Sequence, residues 1–260
     1  MRFPLKIKNL MLISILLTTL QTVQAKTLII SDIDDTIKMT DVLGSKTTVI
    51  FNSLFNAQAF SGMSELYQEM TKNDDTIIYY ITGSPKIIKF KVDDFLEGNH
   101  FPQTQNLILK DEINDNTYEY KTEVIRELIQ KIRPDKMILL GDDTQFDPEV
   151  YKTISDENPK IEFAVYIHSI QNKIVNQPTF FSAIEVAGNE MLEGRLTEES
   201  LGIVAQGFLA HENNSVIGIK GRYCPLEGRV FINELEQRVS DQNIIQLLQQ
   251  SQDEIMSSCH

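Results

Sequence analysis

Positive charge is scarce in this chain: 24 Lys and Arg stand against 37 Asp and Glu, a formal net charge of −13. That balance excludes general nucleic-acid binding, which needs a basic footprint, and docking to an anionic membrane by overall charge alone. An anionic substrate would need a local positive site here, such as a metal ion. Cysteine is almost missing, with only Cys224 and Cys259 present. In an oxidising compartment they predict a bridge that pins the C-terminal tail, worth about 3–4 kcal/mol; the alternative is two free thiols. Beyond the N-terminus no window approaches the roughly 20 apolar residues of a spanning helix. Internal repeats, low-complexity segments and extended disorder signatures are also missing. What is present is 260 residues, 42% of them hydrophobic, enough for one substantial core.

The first 25 residues read as an export leader. Arg2, Lys6 and Lys8 form a basic start, Leu10 to Leu20 an apolar stretch, and Val23-Gln24-Ala25 places small residues before a cleavage point after Ala25. An uncleaved anchor is the alternative, but the run is short for crossing a bilayer. The leader predicts a periplasmic or secreted protein. Its removal takes the three basic residues and no acidic ones, moving the net charge from −13 to −16.

The next segment alternates short apolar runs with helical periodicity. Thr27 to Ser31, Thr76 to Ile81, Met137 to Leu140 and Ile161 to Ile167 lack polar alternation, as strands buried on both faces do. Between them, residues 85–97 and 121–133 have helical spacing, the first with Ser84 as N-cap and Pro85 in its first turn, the second stopped by Pro134. Strands alternating with helices predict a doubly wound parallel sheet. After residue 170 the pattern changes: residues 180–210 and 241–256 are expected to be helical, and residues 213–232 turn-rich. The chain therefore divides into a leader (1–25), an α/β core (26–170) and a mostly helical C-terminal extension (171–260) expected to pack on the core.

The first strand runs into Asp32-Ile33-Asp34-Asp35-Thr36. Ligands of α/β sheets bind at the carboxyl ends of strands, and residues two apart share a side in extended backbone. Two such carboxylates suit phosphoryl transfer through an aspartyl intermediate: one attacks phosphorus, and the other protonates the leaving oxygen and then activates water. A divalent cation, Mg²⁺ by preference, must offset their charge. A capped acidic turn is the plain alternative. A calcium loop fails, because Ile37 stands where the sixth-position glycine is required. Three further strand ends fit the same chemistry. Thr82-Gly83-Ser84-Pro85 offers a hydroxyl and backbone N–H groups to phosphate oxygens. Lys121 opens its helix where a cation opposes the macrodipole, a placement that makes sense if it points at a phosphate. Gly141-Asp142-Asp143-Thr144-Gln145-Phe146-Asp147 supplies acidic residues to complete a metal site.

Asp32-x-Asp34-x-Thr36, Thr82, Lys121 and Gly141-Asp142 with Asp147 resemble, in order, the four motifs of the haloacid dehalogenase (HAD) phosphatase superfamily. More narrowly, Ile30 to Thr40, Gly83-Ser84-Pro85, Phe101-Pro102, Leu107 to Asp111, Gly141 to Gln145 and Asp147 to Tyr151 resemble the fungal actin-patch phosphatidate phosphatase catalytic-domain family. That family's Ser-Asn-Ser-Pro-Trp is Thr82-Gly83-Ser84-Pro85-Lys86 here, a departure at a substrate-facing aromatic rather than at the chemistry.

The resemblance implies a three-layer Rossmann-like fold with a central parallel sheet, small caps and a helical C-terminal extension. It implies a phosphatase whose nucleophile and metal ligand is Asp32 and whose acid/base is Asp34, with a backbone carbonyl on Mg²⁺. Thr36, Thr82, Gly83 and Ser84 would meet substrate, Lys121 would stabilise the phosphorylated aspartate, and Asp142, Asp143 and Asp147 would complete the metal site. Phosphatidate or another lipid phosphate is the implied substrate. An exported enzyme for soluble monoesters and a non-catalytic binding protein on the same fold are the competing readings. The inserts at residues 37–75 and 86–120 are too short for a large lid, so the site is expected to be open. Phe51, Phe55 and Phe60 read as core or as contacts for acyl chains, and Lys86, Lys89 and Lys91 as a solvated helix face or a head-group attractor. Transient contact with a membrane surface is expected.

Overall fold

A computed structural model describes residues 26–40, 58–111, 116–171, 175–210 and 235–259. The leader, Phe51, Phe55, the turn-rich stretch 213–232 and Cys224 lie outside the described residues, as does the side chain of Cys259, and with them the bridge.

The β-branched, apolar runs become the middle of an all-parallel sheet: β1 (Thr27–Ser31), β2 (Thr76–Pro85), β3 (Leu107–Lys110), β4 (Lys136–Asp142), β5 (Glu162–His168) and β6 (Thr179–Phe180). The strand order is β3-β2-β1-β4-β5-β6. Each strand of the centre is covered on both sides, so its alternate residues enter two different apolar layers. Leu28, Ile30, Met137 and Leu139 pack against Ile125 and Leu128 of α3 (Thr117–Ile132) and Val150 and Ile154 of α4 (Asp147–Glu157). Ile29, Tyr80, Ile138 and Leu140 face the opposite layer, built from α1 (Met63–Met70), α2 (Lys89–Gly98), α5 (Ala183–Leu192), α6 (Glu198–Leu209) and α7 (Gln242–Cys259). The result is the expected three-layer α/β architecture. The C-terminal helices share one apolar cluster with the sheet: Ala187, Leu201, Leu248 and Ile255 belong to the same core as Ile29.

Several local expectations change. The stretch 180–210 divides into β6, α5 and α6. Gly194, at φ 72°, breaks the run, and Thr197 caps α6 by accepting from Ser200 N–H at 3.0 Å. β3 and β6, four and two residues long, carry too little pattern to be read as strands. Ser84 and Pro85 do not start a helix. β2 continues through Pro85, a 3₁₀ turn (Lys86–Ile88) intervenes, and α2 begins only at Lys89. The described parts of both inserts supply α1 and α2, and Phe60 is buried in the core rather than placed at a mouth. Among the described residues, no helix is long and apolar enough to cross a membrane.

The extension is tied to the sheet by a buried charge. Glu190 of α5 accepts from Tyr166 Oη of β5 at 2.5 Å and from Arg195 Nη2 and Nε at 2.8 and 2.6 Å. Removing the guanidinium strands a carboxylate that is buried from solvent. Arg195→Ala is expected to lower unfolding stability by about 3 kcal/mol, read as a shifted urea midpoint.

Candidate active site

β1 is flanked by β2 on one side and β4 on the other, so the chain leaves it outward in one direction and later returns in the other. Such a switch point opens a crevice at the carboxyl ends of the two strands between which the order reverses, here β1 and β4. Asp32 and Asp142 stand at that place. Asp32 extends the ladder by one residue, donating its N–H to Leu140 carbonyl at 2.9 Å. The chain then folds tightly over Ile33, whose carbonyl accepts from the N–H groups of Thr36, Ile37 and Lys38 at 3.3, 3.0 and 2.9 Å. Asp35 takes the left-handed conformation this needs, at φ 57°, which Asp tolerates better than most residues. Its Oδ1 accepts from Thr40 N–H and Oγ1, both at 2.9 Å, and its carbonyl lies 2.8 Å from His168 Nδ1. His168 is itself wedged between Phe60 and Phe180. The acidic turn therefore rests on a buried histidine that the sequence pattern did not mark.

Three carboxylates converge. One oxygen each of Asp32, Asp142 and Asp147 lie within 4.8 Å of one another, all from buried residues. Lys121 Nζ enters between two of them, 2.6 Å from Asp32 Oδ1 and 2.5 Å from Asp147 Oδ1. Asp147 Oδ2 accepts from the backbone N–H of Asp142 at 3.3 Å, and Asp142 Oδ1 from Thr144 N–H at 2.6 Å. Thr36 sits behind the cluster, its hydroxyl 3.4 Å from Asp32 Oδ2 and 3.5 Å from Asp142 Oδ2. Lys121 is on the second turn of α3, not at its start; the preceding turn is capped by Asn116, whose side chain accepts from Tyr118 N–H at 3.0 Å. Lys121 therefore does not sit at the positive end of the macrodipole, and its pairing with two aspartates accounts for its place.

One cation cannot neutralise three buried carboxylates. Burial drives the Asp32 pKa well above the usual carboxylate range; Lys121 opposes this, and Asp147, Asp142 and Asp34 reinforce it. Asp142 is raised too, by burial first and Asp147 next. The Lys121 ammonium is disfavoured by burial, yet Asp147 and Asp32 outweigh that and hold its pKa above its ordinary value. An all-oxygen, over-negative pocket is the donor set of a hard divalent cation, so the residues fit the metal that phosphoryl transfer calls for.

Asp34 lies apart from the triad. Its Oδ2 accepts from Thr82 Oγ1 at 3.2 Å and Ser84 Oγ at 3.0 Å, and Ser84 N–H donates to Thr82 Oγ1 at 3.0 Å. Both hydroxyls come from the end of β2, where the register with β3 shifts between Thr82 and Pro85. Burial raises the Asp34 pKa, while Lys38 and the Ser84 and Thr82 hydroxyls work against the rise. Lys38, buried and with its Nζ 5.4 Å from the centre of the Phe95 ring, is a charge beside the site that the motif analysis left without a role. Gly83 packs near Thr117 and Gln145.

Asp143, expected near the metal, stands outside the triad. Its Oδ1 accepts from Ile170 and Gln171 N–H at 2.9 and 2.7 Å, fastening the segment that leaves β5. Asp143 stands one residue past the end of β4, and its carboxylate faces the backbone beyond β5 while that of Asp142 enters the triad.

Residues 27–169, more than half of the chain, match the family described as phosphatidate phosphatase APP1, catalytic domain. The chain belongs to that family. Phosphatidate phosphatase APP1 of Saccharomyces cerevisiae is 24% identical over 173 residues, which make up 64% of this chain and 30% of the yeast protein. An uncharacterized protein of Schizosaccharomyces pombe is 24% identical over 153 residues, 55% of this chain and 25% of that protein. The chain thus aligns with less than a third of the length of either relative. Class C acid phosphatase from Bacillus anthracis is similar at 18% identity and a TM-score of 0.40, over 57% of this chain and 70% of that one; the same enzyme with tungstate bound gives 0.37.

The motif glycine of this family member has a physical reason. A Cβ on Gly141 would stand 2.6 Å from both Cβ and Oδ2 of Asp147. Gly141→Ala is expected to push Asp147 away from Lys121 and to cost about 1–3 kcal/mol of stability in urea unfolding, with the strand itself retained in circular dichroism.

Proposed function

We propose that the chain is a Mg²⁺-dependent phosphatase that hydrolyses a phosphate monoester through an aspartyl-phosphate on Asp32, with phosphatidate or another lipid phosphate as substrate. The reading is carried by one arrangement: Asp32 at the switch point of the sheet, gripped by Lys121 at 2.6 Å, with Asp142 and Asp147 beside it and Asp34 held across from it by two hydroxyls. Membership of a phosphatidate phosphatase catalytic-domain family supports the substrate class.

In this reading the Asp32 carboxylate attacks phosphorus as the bond from phosphorus to the leaving oxygen breaks. Lys121, fixed by Asp147, keeps that carboxylate oriented and offsets charge on the phosphoryl group. Asp34 gives its proton to the departing alkoxide. It then takes a proton from the water that attacks the aspartyl-phosphate, which releases inorganic phosphate and restores Asp32. Thr82 and Ser84 fix the rotamer of Asp34 for both transfers. Asp32, Asp142 and the Asp34 backbone would hold the cation, which supplies the positive charge that two carboxylates and a phosphate require. Export through the N-terminal leader completes the proposal.

Phosphate release from phosphatidate in detergent micelles, with Mg²⁺ and with EDTA, tests this directly. Asp32→Asn is expected to lose about a thousandfold or more of the Mg²⁺-dependent rate while its circular dichroism spectrum matches the parent. Retention of most of the activity by that variant, or full activity in EDTA, would overturn the assignment. Turnover of soluble monoesters with none of phosphatidate would move the substrate to the soluble class and leave the chemistry standing.

A further inference from the structure

Four large apolar side chains are notably exposed among the described residues, and three of them rim one edge of the sheet. Ile87 is 79% and Phe90 60% exposed on the 3₁₀ turn and the start of α2, directly after the carboxyl end of β2. Phe146, 47% exposed, follows the carboxyl end of β4 at the start of α4. The loop before Phe146 approaches the end of β2, where a Cβ on Gly83 would lie 3.8 Å from Gln145 Oε1, and Phe146 itself stands against Tyr118 of α3. The fourth, Leu192, lies elsewhere, at the end of α5 beside Glu162, where β5 begins.

The apolar tip on α2 carries its own charge. Lys86, Lys89 and Lys91 fall within six residues that contain no acid, in a chain whose net charge is −13. Lys91 Nζ lies 5.3 Å over the Phe90 ring; Lys86 pairs with Asp111, and Lys89 with Asp93 at 2.7 Å. Both lysines are more than half exposed, and ion pairs so placed exchange readily for other anions. Aliphatic and aromatic tips ringed by lysine are the composition of an interfacial anchor: the apolar groups enter the boundary between head groups and acyl chains, and the ammonium groups stay at the phosphates.

We propose that Ile87 and Phe90, with Lys86, Lys89 and Lys91, form a docking edge that seats this chain on a bilayer bearing phosphate head groups and turns the Asp32 crevice toward the lipid. The inference rests on the lipid-phosphatase reading and says how its substrate reaches a recessed nucleophile. Overall charge repels such a surface, so the local edge has to carry the attachment, and the adjoining Ser84, hydrogen-bonded to Asp34, puts it at the door of the site.

The test uses Asp32→Asn protein, so that vesicles are not consumed, and measures co-sedimentation with phosphatidylcholine vesicles with and without phosphatidate. The protein is expected to bind the phosphatidate vesicles more tightly. Adding Ile87→Ser and Phe90→Ser is expected to weaken that binding by about tenfold or more. Leu192→Ser, a change of similar kind away from the crevice, is expected to leave it unaltered. In the otherwise unaltered chain, the Ile87→Ser/Phe90→Ser pair is expected to keep turnover of p-nitrophenyl phosphate and lose turnover of vesicle phosphatidate. No binding to either vesicle, equal binding by the double variant, or an equal loss in Leu192→Ser overturns the docking edge, and would mean that a protein partner or none covers these side chains. Soluble turnover that persists beside such a result leaves the phosphatase reading intact, whereas vesicle binding without turnover of any monoester sinks that reading instead.

Discussion

Lys121 is the positive charge that touches two of the three triad carboxylates, and the geometry of the site depends on it. Its ammonium touches Asp32 and Asp147 together, and each of those residues is held by something else: Asp32 by the β1–β4 ladder, Asp147 by the backbone N–H of Asp142. The pair of contacts therefore joins β1, β4, α3 and α4 at a single point. Buried ion pairs of this kind repay the loss of water only when every remaining oxygen is engaged. Here the account does not close with protein groups alone, since burial still raises Asp32 and Asp142. A site left over-negative by its own side chains is poised to take a cation, and stability is traded for that readiness.

Much of the site was legible in the sequence, because the chemistry demands particular residues just after particular strands. Asp32, Asp142, Asp147 and Lys121 were each marked by a strand end or helix nearby, and the structure brings these four together. Thr82 and Ser84 were marked as well, but as grips for phosphate. In the structure their hydroxyls donate to Asp34, a contact between the ends of two different strands that no local pattern announces. Asp143 illustrates the same limit. Two adjacent aspartates look alike in sequence, while β4 ends between them, one carboxylate entering the triad and the other taking the backbone N–H of Ile170.

The fold was readable where periodicity was long and clean. β1, β4, β5 and α3 had such patterns; β6, with two residues, did not. The C-terminal helices were foreseen as helices packed on the core, but which of the two layers they join was not. That place is set by close approaches at residues without side chains, such as Gly202 against Ile244 and Gly188 against Leu235, and by the Glu190 link to Tyr166. His168 was missed because a histidine in an apolar strand has no spacing signature; it gains meaning only when its ring meets the Asp35 carbonyl.

The order of the strands has a further consequence, for how the molecule is made. β1 lies between β2 and β4, partners that come much later in the chain: Thr27 pairs with Thr76 on one side and Lys136 on the other. During synthesis the central strand emerges first and has to wait for both neighbours. Asp32 stays hydrated, with ordinary acidity, until α3 and β4 arrive with Lys121 and Asp142. Non-local pairing of this sort makes assembly slow. It also keeps the crowded carboxylates apart at first: Lys121 precedes Asp142 and Asp147 in the chain, so the ammonium is already made when they come to join Asp32.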